Sequence, residues 1–337
     1  MKAAVVGASG YLGAELLRLL AAHPSLEVVA VQADTAAGEE VGALYPALAP
    51  AYRRTSFGEL DPAGLSGCDV VFVAVPAGRS QELVSGLVGS VGCVVDLGPD
   101  FRLRDASCYP TWYGFEHRAP ELLAEAAYGL PELGREPILG ARLVASPGCY
   151  VTAAALALAP LVAAGAIERR GVVVDALSGT SGAGRAPSPR THHAAVNESA
   201  VAYGLVGHRH TPEMEQAIGA EVIFTPHLVP MTRGILATCY ARATGPTSSA
   251  EVSSLLREAY EGEQFVEVVE DPPATRDTYG ANTCRLAARH DERTGTTIVL
   301  AALDNLTKGG AGQAIQAANL ALGLPEAEGL PKVALTP

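Results

Sequence analysis

The chain has no C-x-x-C pair, no basic run and no apolar stretch of about 20 residues free of breakers. Each absence removes a class of function. The six cysteines (Cys68, Cys93, Cys108, Cys149, Cys239 and Cys284) are scattered, so they read as free thiols, not as a disulfide framework or zinc knuckle. No metal site is expected. A net charge of -12 without a basic run makes a poor partner for nucleic acid or an anionic membrane. The missing long apolar stretch argues against a membrane span. The start, Lys2-Ala-Ala-Val-Val6, is a strand without the charged, apolar and cleavage regions of a signal peptide, so a cytoplasmic protein is expected. Repeats and low-complexity tracts are also missing.

What is present is a large apolar fraction, 48% of 337 residues, enough for two cores. Ala3 to Val6 predicts a strand. Gly7-Ala-Ser-Gly10-Tyr-Leu-Gly13 follows, then a helix with Leu16, Leu17, Leu19 and Leu20 inward, then a strand from Leu26 to Val31. Glycines at the first turn of a β-α-β unit form the setting of a dinucleotide fingerprint. Gly7 permits the sharp turn, Gly10 admits phosphate, and Gly13 lets helix and strand pack closely. The amides of Ser9, Gly10, Tyr11 and Leu12 would face a pyrophosphate. After the second strand comes Gln32-Ala-Asp34-Thr35. Asp34 favours NAD, whereas Thr35 and the amides of Ala36 to Gly38 suit the extra phosphate of NADP. The next strands, Val70 to Val75 and Val91 to Leu97, are continuous apolar runs that fit a parallel sheet. The first ends in Pro76, where ligands bind in such sheets. Arg102, beyond the second, is either a two-pronged donor to a substrate carboxylate or a surface partner of Asp100 or Asp105.

Val144-Ala-Ser-Pro-Gly-Cys-Tyr-Val-Thr152 predicts strand, tight turn and helix, with Cys149 at the first helical turn. Unpaired amides and the helix dipole favour a thiolate there. A buried, inert cysteine in an Ala-rich helix is the alternative. Further on, Ser178-Gly-Thr-Ser-Gly-Ala-Gly184 is a run of small residues that suits backbone contact with a ligand or a plain linker. Val206-Gly-His208-Arg-His210-Thr-Pro-Glu213 leads into a helix with Thr211 as its expected N-cap. In an extended lead-in the two histidines face one way, one for acid/base work and one to orient substrate. Strands at Val222 to Leu228, Gly234 to Ala243 and Ile298 to Leu303 predict a mixed sheet, and Asn305 stands at a strand end where it could bond a nicotinamide carboxamide. A helix from Gln313 to Leu322 should return to the first domain, with a loose tail from Glu326. The expected fold is α/β: a Rossmann-type domain (1–146), an α+β substrate and dimerisation domain with a mixed sheet (147–310), and a returning helix with tail (311–337).

A nucleotide fold, an activated cysteine and a second-domain histidine suggest thiolate attack on an activated acyl group, then hydride transfer to the thioester. The motifs at 145–152, 178–185, 207–213, 226–234 and 304–309 resemble those of the N-acetyl-γ-glutamyl-phosphate reductases of arginine biosynthesis, in order and over nearly the whole chain. Ser146 stands where that family usually has Asn, and Val151 where Pro is common. The resemblance implies NADPH-dependent reduction of N-acetyl-glutamyl 5-phosphate to the semialdehyde, an aspartate-semialdehyde-dehydrogenase-like fold, and a homodimer or homotetramer. It makes Cys149 the nucleophile and the pair His208 and His210 the acid/base and substrate contacts, with His210 expected to carry the proton. Candidate substrate residues are His208, Arg102, Ser146 and Arg185. Candidate cofactor residues are Gly7, Ser9, Gly10, Tyr11, Leu12, Pro76, Ser178, Gly179, Gly182 and Asn305. Two rivals are a reductase of carrier-protein-bound aminoadipyl phosphate in lysine biosynthesis and a non-enzymatic dinucleotide-binding thiol redox sensor.

Overall fold

The computed structural model describes residues 1–336. The chain divides into two compact units, one of Met1–Pro147 with Gly310–Leu330 and one of Gly148–Gly309 with the tail from Pro331. The backbone therefore passes from one unit to the other just before Cys149 and again just after Gly309.

The first unit is built on a six-stranded sheet: β1 (Lys2–Val6), β2 (Glu27–Gln32), β3 (Val70–Val73), β4 (Cys93–Asp96), β5 (Ala127–Tyr128) and β6 (Leu143–Ala145). Every pairing is parallel, in the order β2-β1-β3-β4-β6-β5. β3, β4 and β6 are buried at every residue, as the unbroken apolar runs predict for strands covered on both faces. Helices α1 (Tyr11–Leu20) and α2 (Ser80–Leu87) connect them.

The second unit carries a seven-stranded mixed sheet in the order β11-β12-β13-β10-β7-β9-β8. Its strands are β7 (Val172–Ser178), β8 (Val201–Ala202), β9 (Val222–Leu228), β10 (Ile235–Arg242), β11 (Val266–Val268), β12 (Cys284–Asp291) and β13 (Thr296–Leu303). Its longer helices are α3 (Cys149–Ala163), α4 (Thr211–Ile218) and α5 (Ser249–Ala259). They pack on one sheet face, onto the buried alternate residues of β9, β10, β12 and β13. The opposite face stays half-open, with Ile223 at 62% exposure and Leu177 at 38%. The last helix, α6 (Gly312–Ala321), belongs to the first unit, where Gln313 Nε2 donates to Gly129 O at 2.9 Å and Asn319 Oδ1 meets His23 Nε2 at 3.1 Å.

Several expectations need correction. β12 escapes sequence reading because its Arg- and Ala-rich CRLAARHD has little β-branched content. α3 carries Pro160 inside it and runs three residues beyond. A proline inside a helix leaves the carbonyl four residues back without its donor. That carbonyl, Leu156 O, accepts from Tyr260 Oη at 2.6 Å. The segment from Glu326 is not loose. Asn319 Nδ2 donates to Glu326 O at 3.1 Å and to Glu328 O at 2.9 Å, and Arg135 pairs with Glu326 at 2.8 Å. Beyond it, Asn282 N donates to Pro331 O at 2.7 Å and Leu335 N to Tyr279 O at 2.8 Å. No helix among the described residues is long and apolar enough to cross a membrane.

Candidate active site

In the first unit the glycine turn follows β1. Gly7 has φ +80, and a Cβ there would lie 2.2 Å from Ala74 O, so only glycine fits. At Gly13 a Cβ would lie 2.5 Å from Ala8 Cα, which makes close packing of α1 on the turn the reason for that glycine. The amides of Gly7 and Ala8 donate to Gln32 O at 2.9 and 3.0 Å, tying the turn to the end of β2. Gly10 is the N-cap of α1, without a side-chain cap and with no acid in the first turn. The amides of Tyr11 and Leu12 therefore have no intrahelical acceptor and meet no competing carboxylate. Such a cradle fits a pyrophosphate. Ser9 is buried, and its carbonyl accepts from Tyr45 Oη at 2.8 Å. Pro76 opens the turn after β3, its carbonyl accepting from Arg79 N at 3.1 Å.

A buried polar cluster follows β3 and β4. Asp100 takes the Gly78 amide at 2.8 Å and the Ser80 amide at 3.1 Å. Asp96 accepts from Ser80 Oγ at 3.2 Å and Gly98 N at 3.0 Å. Burial, then the Asp100 charge, pushes the Asp96 carboxyl up to about 7. Arg102 is buried. Its Nε donates to Ser146 O and its Nη2 to Leu97 O, both at 2.8 Å. It is thus not a surface partner of Asp105, and its Nε and Nη2 are held by the carbonyls that follow β4 and β6. Ser146 is 1% exposed, and its Oγ has no hydrogen-bond partner.

In the second unit, Cys149 is the first residue of α3 and is half-buried. Gly148 is the N-cap, and its amide donates to Glu213 Oε1 at 2.9 Å. Thr152 closes the turn through N and Oγ1 on Gly148 O, at 2.9 and 3.2 Å. The Tyr150 amide, in the first turn of the helix, has no intrahelical acceptor. Glu213 is fully buried in the first turn of α4 and was not singled out by sequence reading, although its place as third residue of that helix could have flagged it. Gly309 packs on the cysteine: a Cβ there would lie 2.8 Å from Cys149 Cβ.

Tyr150 brings both histidines to this turn. Its ring meets His208 at 5.9 Å and His210 at 6.0 Å, and the two imidazoles meet each other at 4.9 Å. The Tyr150 and Tyr203 hydroxyls lie 2.9 Å apart, and burial holds both phenols above their ordinary range. The lead-in is not extended as predicted: His210 has helical φ -81 and ψ -10 and is itself the N-cap, displacing Thr211. The turn lets His210 N donate to His208 Nδ1 at 3.1 Å. Nδ1 is therefore an acceptor, and the neutral ring carries its proton on Nε2. Burial, then the Arg209 charge, lowers the His208 pKa to about 4.

The small-residue run is a tied turn. The amides of Gly179, Thr180 and Ser181 donate to Gly234, Met231 and Thr232 carbonyls at 3.0, 2.9 and 3.1 Å. Ser178 Oγ donates to Gly179 O at 3.1 Å, and a Cβ on Gly182 would lie 3.2 Å from that hydroxyl. Asn305 is 2% exposed, with Oδ1 on Gly234 N at 2.7 Å and Nδ2 on Ser181 Oγ at 3.0 Å. Its amide braces this turn through one N–H and one lone pair of the carboxamide. Arg185 lies beyond the turn and is exposed.

Residues 2–141 match the family model "Semialdehyde dehydrogenase, NAD binding domain" and residues 149–305 match "Semialdehyde dehydrogenase, dimerisation domain". The chain is 48% identical to the N-acetyl-gamma-glutamyl-phosphate reductase of Symbiobacterium thermophilum, over 98% of this chain and 97% of that one. The chain belongs to the N-acetyl-gamma-glutamyl-phosphate reductase family. The reductase of Alkalilimnicola ehrlichii is also 48% identical, over 99% and 98% of the two chains. Among solved structures, aspartate semialdehyde dehydrogenase II of Vibrio cholerae, complexed with ASA, aligns at TM-score 0.68 and 18% identity over 95% and 97% of the chains. Aspartate semialdehyde dehydrogenase with NADP from Candida albicans aligns at TM-score 0.67 and 18% identity over 96% and 99%. These two likenesses give this reductase family member its fold.

Proposed function

We propose that this chain reduces N-acetyl-γ-glutamyl phosphate to N-acetyl-glutamate semialdehyde with NADPH, releasing phosphate. The observation that carries the reading is Cys149 at the first turn of α3, with Tyr150 beside it packed on both imidazoles. The N-terminus of α3 favours the thiolate. Cys149 Sγ attacks the acyl carbon, the carbon–phosphate oxygen bond breaks, and a thioester forms with phosphate as leaving group. Gly148 N is taken by Glu213, and the Tyr150 amide in the first turn of α3 is a donor for the oxyanion. A nicotinamide dinucleotide, when bound, would supply the hydride that reduces the thioester carbon. The carbon–sulfur bond then breaks, giving aldehyde and regenerating the thiolate.

His210 is assigned the proton transfers. His208 is held in one tautomer by the His210 amide and stays neutral down to about pH 4, which suits a fixed donor to substrate better than a shuttle. Ser146 Oγ, buried without a partner, is offered to a polar atom of the substrate, and Arg102 positions the Ser146 carbonyl. Arg185, exposed beyond the small-residue turn, is a substrate contact in this reading. The half-open face of the seven-stranded sheet, with Ile223, Leu177 and Leu236 on it, is the surface a homodimer would bury. Six free thiols suit the reducing cytoplasm.

The test is consumption of NADPH and NADH with N-acetyl-γ-glutamyl phosphate and with carrier-bound aminoadipyl phosphate. Turnover of the first substrate alone supports the reading. Turnover of the second alone assigns the chain to the sister reaction, and turnover of neither removes the catalytic assignment.

A further inference from the structure

Asp34 follows β2, where an acid ordinarily takes the ribose hydroxyls of NAD. Here it is not alone. Arg79 Nη2 lies 3.7 Å from Asp34 Oδ2, and both side chains are open, at 62% and 70% exposure. The two residues come from opposite sides of the glycine turn. β2 and β3 flank β1 in the sheet. Asp34 lies two residues beyond Gln32, whose carbonyl accepts the Gly7 and Ala8 amides. Arg79 lies five residues beyond Ala74, whose carbonyl is packed where a Gly7 side chain would be.

The backbone carrying Arg79 is fixed on both sides. Asp100 is fully buried, and its two carboxylate oxygens take the amides of Gly78 and Ser80. The arginine thus has a hydrogen-bonded base and a solvent-facing guanidinium. Such a base with an exposed planar fork suits capture of a phosphate, which a guanidinium binds through two parallel hydrogen bonds.

We infer that Arg79 is the specificity-determining residue for the 2′-phosphate of NADP, with Asp34 as its resting partner. This rests on the dinucleotide reading of the glycine turn. When the 2′-phosphate arrives, the guanidinium leaves Asp34 for the stronger, doubly charged partner. With NAD, Asp34 takes the ribose hydroxyls and Arg79 gains nothing. The exchange makes the pair a chooser in which the acid after β2 no longer excludes NADP.

Calorimetric titration of the full chain with adenosine 2′,5′-bisphosphate and with adenosine 5′-monophosphate isolates the contact without turnover. Arg79→Ala should weaken the bisphosphate by about tenfold to a hundredfold and leave the monophosphate within about twofold. Arg79→Lys should fall between, since it keeps charge but loses the fork. Asp34→Asn should tighten the bisphosphate and weaken NAD. Equal effects of Arg79→Ala on both nucleotides, or none on either, would overturn the assignment. NADP binding by the unaltered chain then shows whether the dinucleotide reading survives; if that chain binds neither NADP nor NAD, both fall together.

Discussion

Glu213 Oε1 accepts the Gly148 amide at 2.9 Å, so a buried carboxylate of the histidine helix α4 holds the residue that precedes Cys149. The bond joins the starts of two helices and fixes where α3 begins. Glu213→Ala removes the acceptor and should lower kcat/KM by about tenfold to a hundredfold, while Glu213→Gln keeps an oxygen there and should stay within about threefold. The rate of Cys149 alkylation by iodoacetamide should follow the same order. Equal losses in both variants, with alkylation unchanged, would show that the bond does not position the thiol.

Gly309 has no room for a methyl group. A Cβ would lie 2.8 Å from Cys149 Cβ and 3.1 Å from Leu303 Cδ1, closer than carbon atoms pack. Gly309→Ala should therefore displace the thiol, lowering kcat by about a hundredfold with a smaller change in KM. Wild-type kcat in this variant would contradict the packing.

Two buried groups give opposite pH dependences of stability. The folded chain keeps His208 neutral to about 4, whereas an unfolded histidine takes its proton near 6.5, so its contribution is lost as pH falls from 6.5 toward 4. The lost stability at pH 4 is about 3 kcal/mol. The folded Asp96 carboxyl is raised to about 7, so its contribution is present near pH 4 and lost as pH rises through 7. Urea unfolding of His208→Gln should differ from the parent by a gap that shifts in the variant's favour as pH falls. Asp96→Asn should shift in its favour as pH rises. Parallel pH profiles for parent and variants would refute the assignments.

The Tyr260 hydroxyl occupies the carbonyl that Pro160 leaves without a donor. Tyr260→Phe should destabilise the second unit by about 1–3 kcal/mol in urea melts. Pro160→Ala restores the backbone donor, so the same Tyr260→Phe change made in that background should have a smaller effect. Equal effects in the two backgrounds would separate the tyrosine from the proline.

Much of this arrangement is legible in the chain. Continuous Val-rich runs announce the parallel sheet, and Gly7 and Gly13 announce a turn whose packing leaves no space for Cβ. The alternation in Val222–Leu228 gives both the strand and its buried face. β12 is hidden because its burial comes from neighbouring strands and not from its own composition. Glu213, Gly309 and Arg79 escape for another reason. Each matters through a residue far away in sequence, at Gly148, Cys149 and Asp34, and no local pattern encodes such pairings. Asn305 and Arg102 show the converse, since a polar residue at a strand end reads the same whether it meets a ligand or braces a turn.

The proposed reaction depends on the Cys149 sulfur accepting the acyl group. Intact-protein and peptide mass spectrometry after mixing with N-acetyl-γ-glutamyl phosphate, with no dinucleotide present, tests it directly. One N-acetyl-glutamyl adduct is expected on the Cys149 peptide, absent in Cys149→Ala and discharged on adding NADPH. An adduct on another cysteine, or a Cys149→Ala chain that still forms semialdehyde, would contradict it.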